Sequence, residues 1–354
     1  MPEFKYIKDF AAKHPDRWQN IMAAEKLTHE NIQAITGLFE GYPPLSSADA
    51  DFVVFGSIAR NECTIGSDVD WTLLIDGQVS DQHADSVKII GKLLEKGEFA
   101  KHGTSGMFGQ ISFSHDLVHY IGGEDDTNHN ISRRILLLLE SEKMCIGGES
   151  NQSGTAHERV KKAILKEYIQ HDSGFSSVSK QNARVPRFLL NDIIRFWRTM
   201  CVDFAYKQKQ QDGHKWGLRN IKLRMSRKLI YLKGLLMCYS CYRHDEITKD
   251  NIAQHLFDLS QLTPLDVMIK VLSDEIPEST LIGLLNGYDH FLGTLNDKGI
   301  RETLESLKMT DAYKNEVFLA EREMAHKFQE LLSDTFETEK SGNLKEFTKN
   351  YLIF

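Results

Sequence analysis

Residues 52–75, FVVFGSIARNECTIGSDVDWTLLI, are the stretch whose reading decides the fold. Phe52, Val53, Val54 and Phe55 form a short β-branched and aromatic run, suited to a buried strand. Gly56 and Ser57 follow at once, and Ile58-Ala59-Arg60 can begin a helix. Glycine lets backbone approach a ligand closely, and a helix start offers unpaired N–H groups to an anion. The chain then reaches Ser67-Asp68-Val69-Asp70-Trp71. Residues two apart on a strand share a face, so Asp68 and Asp70 are expected to project together while Val69, Trp71 and Leu73 pack. Two carboxylates on a strand beside a phosphate cradle are what divalent-metal phosphoryl chemistry needs. Hard oxygen ligands hold Mg²⁺, which bridges a triphosphate and the attacking oxygen.

Upstream, residues 16–40 read as helical, with Asp16 as an N-cap and a second start near Thr28, before Tyr42-Pro43-Pro44 breaks the pattern. Downstream, Val87, Ile89, Ile90, Leu93 and Leu94 mark the buried stripe of a helix over 80–95. Residues 110–121, QISFSHDLVHYI, return to alternation. Asp116 then falls on a strand face with Ser112 and Ser114, and His115 and His119 share the other parity without being neighbours. Asp125 and Asp126, after Gly122-Gly123, read as a turn. Residues 131–143, ISRRILLLLESEK, predict one helix whose leucines pack on the sheet, with Arg133 and Arg134 either solvated or within reach of phosphate.

Here the spacing carries a resemblance. Gly56-Ser57, ten residues, then Asp68-x-Asp70 resembles the signature of the DNA polymerase β-type nucleotidyltransferases. GSIARNE…SDVDW is most similar to the minimal members, with Arg60 and Glu62 in the usual places. The resemblance implies an α/β (α+β) fold with a small mixed sheet, a nucleoside triphosphate substrate and two Mg²⁺ ions, for which Mn²⁺ can substitute. Gly56, Ser57 and Arg60 would bind the nucleotide. Asp68 and Asp70 would hold the metals, with Asp116, for which Asp125 and Asp126 are the rivals, as the third, catalytic carboxylate that completes the metal site and can deprotonate the attacking hydroxyl.

The 354 residues allow one large domain or two ordinary ones. With 41% hydrophobic and 26% charged residues the composition is that of a globular protein, and a net charge of −7 gives no global nucleic-acid signature. No apolar run approaches a membrane span, and MPEFKYIKDF lacks a signal-peptide core, so a cytoplasmic location is expected. Five irregularly spaced cysteines read as reduced thiols. Cys238 and Cys241, a lone CxxC in an apolar helix, read as buried rather than zinc-binding.

The Gly- and Ser-rich segment 147–154 is the expected boundary. It separates a catalytic domain, 1–150, from an all-helical domain, 151–354. Thr155 caps the first helix there and Pro186 opens a long one. Residues 216–242 read as another, basic in its first half at Arg219, Lys222, Arg224, Arg227 and Lys228. Lys222 or Arg224, with Arg227 and Lys228, recurs at helical spacing as a cationic stripe. It reads either as a solvated face or, with Arg184, Arg187, Arg195 and Arg198 nearby, as a binding site for nucleotide phosphates. The chain ends Tyr351-Leu352-Ile353-Phe354, apolar where termini are usually polar. That fits either a packed final turn or a tail presenting the Tyr351 hydroxyl to a cleft.

A helical half of this size is similar to that of the signalling and defence nucleotidyltransferases, and with the terminal tyrosine the whole chain resembles the Hailong (HalB) family. That resemblance implies oligo-deoxyadenylate made from dATP, primed by Tyr351, a single-stranded DNA product and a membrane-protein effector as partner, in anti-phage defence. A homo-oligomer is compatible with it. Transfer of a nucleotide to a protein or an antibiotic, cyclic-oligonucleotide synthesis, and a non-enzymatic binding module stay open as alternatives.

Overall fold

The computed structural model describes residues 3–42, 47–97, 99, 107–146, 154–172, 185–210, 213–243, 246–337 and 342–353. Pro43-Pro44, the linker residues 147–153, Arg184, Glu339-Lys340-Ser341 and Phe354 lie outside them. In chain order the elements are α1 (Tyr6–Ala12), α2 (Gln19–Leu38), β1 (Ala50–Phe55), α3 (Gly56–Ala59), β2 (Asp70–Ile75), α4 (Asp81–Lys96), β3 (Gln110–Phe113), α5 (Ser114–Val118), α6 (Asn128–Leu139), β4 (Ser141–Lys143) and α7 (Ala156–His171). Then follow α8 (Arg187–Gln210), α9 (Trp216–Lys222), a π-helical turn (Leu223–Arg227), α10 (Lys228–Arg243), α11 (Ile252–Ser260), α12 (Pro264–Leu272), α13 (Glu278–Asn296), α14 (Lys298–Ser306), α15 (Met309–Ala312), α16 (Glu316–Glu337), α17 (Gly342–Phe347) and a π-turn over Thr348–Ile353.

The chain divides into two compact units. The first takes in Met1–Glu3, Ala24–Val178 and Thr248–Thr263. Its sheet has the order β3-β2-β1-β4, with β1 antiparallel to β2 and β4, and β3 parallel to β2. The fold is therefore α/β with a small mixed sheet, as the sequence implies, and the described residues of the second unit form helices and no strand. Phe52, Val54 and Trp71 turn to one face, where Ile32 and Ile35 of α2 and Ile90, Leu93 and Leu94 of α4 complete an apolar core.

The opposite face carries Asp51, Val53, Phe55, Asp70, Thr72 and Ser112 by the register. Phe55, Thr72 and Ser112 line a crevice there with Leu136 and Leu137 of α6. Asp51 is wholly buried. It accepts the backbone N–H of His157 at 2.7 Å and pairs with Lys143 at 3.4 Å, which ties α7 and β4 to β1. Burial, helped by the charges of Lys161 and Lys143, pushes the His157 imidazole well below its ordinary range, so the ring is neutral.

Four sequence expectations are corrected locally. Thr28 starts no helix; it lies inside α2, donating to Ala24 O at 2.7 Å and accepting the Cys63 N–H at 3.0 Å. Asp16, with φ of 65°, is outside α2. The helix expected over 131–143 stops at Leu139, because Ser141–Lys143 pair with β1 as a strand. The helix over 216–242 is continuous only by way of the π-turn at 223–227, which shifts the phase of the basic stripe.

The second unit takes in Phe4–Ala23, Ser179–Ile247 and Pro264–Phe354. Its centre is α10, packed on α8 and α12 and buried along nearly its whole length. Cys238 and Cys241 are buried free thiols, and desolvation raises the Cys241 thiol to about 12. At the other edge Asp266 accepts the backbone N–H groups of Lys5 and Ile7, which fastens α1 to α12. Among the described residues no helix is long and apolar enough to cross a membrane.

Candidate active site

β1 delivers the chain to Gly56 at its end, and β2 starts opposite. Phe55 pairs with Asp70 in the register, so Gly56 and Asp70 meet at the same edge of the sheet. Gly56 has φ of 71°, a conformation glycine adopts without a steric cost. A Cβ at Gly56 would stand 3.3 Å from Asp70 Oδ2. A side chain at position 56 would therefore intrude on the acid.

The turn that follows is α3, a single helical turn held by Arg60 N–H to Gly56 O at 3.1 Å and Glu62 N–H to Ser57 O at 2.8 Å. Its first N–H groups have no intrahelical partner, as at any helix start. Ser57 is half-buried, and the Cys63 thiol lies 3.9 Å from its hydroxyl. Burial pushes the Cys63 thiol up, so it stays protonated.

Asp68 and Asp70 are both half-buried, either side of the buried Val69. Asp70 opens β2, while Asp68 lies just before it, and the Asp68 side chain has no hydrogen bond or ion pair among the described residues. The expected pairing of the two acids around an inward Val69 and Trp71 fits this alternation.

Arg60, which the resemblance placed among the nucleotide ligands, is 8% exposed. Its Nε donates to Glu62 Oε2 at 2.8 Å and its Nη1 to Glu140 Oε2. Glu140 ends α6, so this ion-pair group locks the turn after α3 to the α6–β4 junction. The side chain braces the Gly-Ser turn from behind. Nothing in the sequence signals the Glu140 partner, eighty positions away.

Asp116 is not on a strand. β3 stops at Phe113, and Asp116 lies in the first turn of α5, partly exposed, 3.6 Å from His115 Nδ1. β3 itself, QISF, carries no acid; Thr72 Oγ1 instead donates to Gln110 O at 2.6 Å and shares a bond with Ser112. Among the described residues no three carboxylate, imidazole or thiolate groups are gathered so as to hold a metal. Asp68 and Asp70 stand two positions apart at the start of β2, and Asp116 stands on α5. The helix also corrects the reading of His115 and His119, whose rings become i,i+4 neighbours 5.2 Å apart.

The two arginines of α6 separate. Arg134 is fully buried, holds Asp126 through two bonds of 3.1 and 2.7 Å, and donates to the Tyr168 hydroxyl at 2.7 Å. It and Asp126 are structural. Arg133 lines the crevice with Phe55, Thr72 and Ser112, on the face that carries Asp70. Burial lowers its pKa, partly offset by the Asp116 charge, so a guanidinium and a second carboxylate sit near one another on this side of the first unit.

The remaining expected ligands belong to the second unit. Only Arg227 of the basic segment is exposed; Lys222, Arg224 and Lys228 are half-buried. Lys228 Nζ donates to Gln329 Oε1 of α16, and Arg224 Nε to Asn220 Oδ1 at 2.8 Å. Desolvation, with the nearby Arg224 charge, brings the Lys228 ammonium down to about 8. Tyr351 lies in the terminal π-turn, half-buried against the rings of Tyr242 at 5.8 Å and Phe347 at 5.7 Å. Hence the tail is a packed turn on α10.

Residues 42–100, which hold both halves of the signature, match the family model of the nucleotidyltransferase domain. No curated protein matches the chain. The first unit thus contains a nucleotidyltransferase domain of the polymerase β-like class, and the chain is a transferase.

Proposed function

We propose that the protein is a Mg²⁺-dependent, template-independent nucleotidyltransferase that joins nucleotides from a nucleoside or deoxynucleoside triphosphate to a hydroxyl, building an oligonucleotide. The observation that carries the reading is the Asp70 carboxylate beside the Gly56 turn, 3.3 Å from where a Cβ on Gly56 would stand. It sets backbone that can approach a phosphate beside a carboxylate that can hold a hard cation.

The donor triphosphate lies on the Gly56-Ser57 turn, its oxygens accepting from the Ser57 hydroxyl and the unpaired N–H groups of α3. Asp68 and Asp70 would hold Mg²⁺, which when bound supplies neutralisation of the phosphate charge. The acceptor oxygen forms a bond to the α-phosphorus while the bond to the bridging oxygen of the β-phosphate breaks, and pyrophosphate leaves. The hydroxyl proton passes to Asp116, the carboxylate proposed to complete the site. Arg60 holds the turn in place through Glu62 and Glu140.

Tyr351 is the first acceptor proposed from the family resemblance, and its packing on Tyr242 and Phe347 would have to open for priming. Oligo-deoxyadenylate made from dATP for anti-phage defence, with a membrane protein as effector, is the product and setting proposed from the family resemblance.

Incubation with Mg²⁺ and each labelled NTP and dNTP, resolved on a denaturing gel, tests this reading. A ladder from one nucleotide, attached to protein and lost in Tyr351→Phe, is expected. A single addition, or label that requires an added protein or small molecule, would assign the chain to the nucleotidylating enzymes instead.

A further inference from the structure

The second unit carries a cationic cluster that neither the signature nor the matched domain accounts for. Arg224 and Lys228 lie one turn apart at the π-turn that joins α9 to α10, and Arg322 comes from α16, which packs against that turn. Among the described residues none of the three has a carboxylate partner. Arg224 holds Asn220, Lys228 holds Gln329, and Arg322 lies over the ring of Tyr313 at 5.4 Å. Arg224 and Arg322 are close enough to depress the Arg224 pKa by repulsion, after the larger effect of burial. In a chain of net charge −7 such a grouping is unusual, because acids to neutralise it are plentiful.

Tyr313 adds the second part. It is 46% exposed, and its ring is fixed by Trp216 at 5.9 Å and Phe318 at 5.8 Å. A rigid, half-open phenol ring capped by a guanidinium gives bases a surface to stack on, and the flanking cations match phosphodiesters at the same time. A π-turn inside a helix, as at 223–227, is a feature often found at functional sites.

We propose that this face of the second unit binds single-stranded nucleic acid. Bases stack on Tyr313 and Arg322, and Arg224, Lys228 and exposed Arg227 take the phosphates. This deepens the reading of the protein as an oligonucleotide-forming enzyme and rests on it for the source of the strand.

The test uses full-length Asp68→Ala/Asp70→Ala protein, in which extension is blocked, and the anisotropy of a fluorescein-labelled deoxyadenosine oligomer of about 20 nucleotides, a length that covers one or more such sites. Saturable binding that weakens steeply with salt is expected. Tyr313→Ala is expected to weaken it by roughly 5- to 150-fold, the span of one lost base stack, and Arg224→Gln/Arg322→Gln to flatten the salt dependence. Tyr313→Phe keeps the ring and is expected to bind as the parent does, which separates stacking from misfolding. No binding by the parent, unchanged binding in Tyr313→Ala and Arg224→Gln/Arg322→Gln, or equal affinity for a duplex would overturn the proposal. Transfer activity is assayed separately on protein with intact aspartates, so a failure of the strand site and a failure of the catalytic reading are told apart.

Discussion

Asp70 Oδ2 lies 3.3 Å from the point where a Cβ on Gly56 would stand, and Gly56 holds that place with φ of 71°. A side chain at position 56 meets two obstacles at once, a left-handed backbone and the carboxylate. Gly56→Ala is expected to lower stability by about 1–2 kcal/mol, the cost of one left-handed L-residue. Transfer activity should fall by more than this explains, because Asp70 is displaced. Urea unfolding beside a transfer assay on the same protein measures both. Parent-like activity would show that Asp70 can move aside without consequence.

Arg60 separates a brace from a ligand. Its pairs with Glu62 and Glu140 are buried, and removing one partner of a buried ion pair typically costs about 3–5 kcal/mol. Arg60→Ala should therefore unfold at markedly lower urea. If Arg60 instead bound the triphosphate directly, the stability would hold and KM for the nucleotide would rise alone.

Asp116→Asn is expected to reduce kcat by about 10²–10⁴, the usual contribution of a positioned base. If Asp116, on α5, serves only as the base, the Mg²⁺ concentration needed for half-maximal rate should stay where it is. Asp70→Asn should shift that Mg²⁺ dependence. A shift in both would return Asp116 to the metal site.

In the second unit His290 of α13 is bonded to Glu321 of α16 at 3.0 Å, and Glu321 also accepts the Thr294 hydroxyl at 2.8 Å. The bond to Glu321, opposed by burial and helped by the Glu321 and Asp289 charges, raises the His290 pKa. The stability it adds is complete below the unfolded value near 6.5 and is lost as pH rises through the higher folded value. Thermal unfolding between pH 5.5 and 8.5 should show a loss on the alkaline side that shrinks in His290→Gln. Parallel profiles for the two proteins would remove His290 from the account.

The legible parts of this chain are those where chemistry is local. The run 52–55, the Gly56 turn, the acids around Val69, the helix after Ser80 and the cap at Thr155 all stand where their neighbours in sequence required. What misled were short segments decided by partners far along the chain. Ser141–Lys143 carry no strand pattern and become β4 because β1 offers an open edge. The alternation over 110–121 predicts one long strand, although β2 gives β3 four residues to pair with before the chain turns into α5. The second acid that holds Arg60 is invisible for the same reason. Glu140, eighty positions on, reaches it only through the fold.

The central claim is transfer of the α-phosphoryl group by the Asp68–Asp70 pair. The direct measurement is a parallel reaction with α-labelled and γ-labelled dATP and Mg²⁺, using parent and Asp68→Ala/Asp70→Ala proteins. Label from the α position should become bound to product while γ label leaves as pyrophosphate, and both should vanish in the double variant. Release of γ label as inorganic phosphate, or transfer that survives loss of both aspartates, would contradict it.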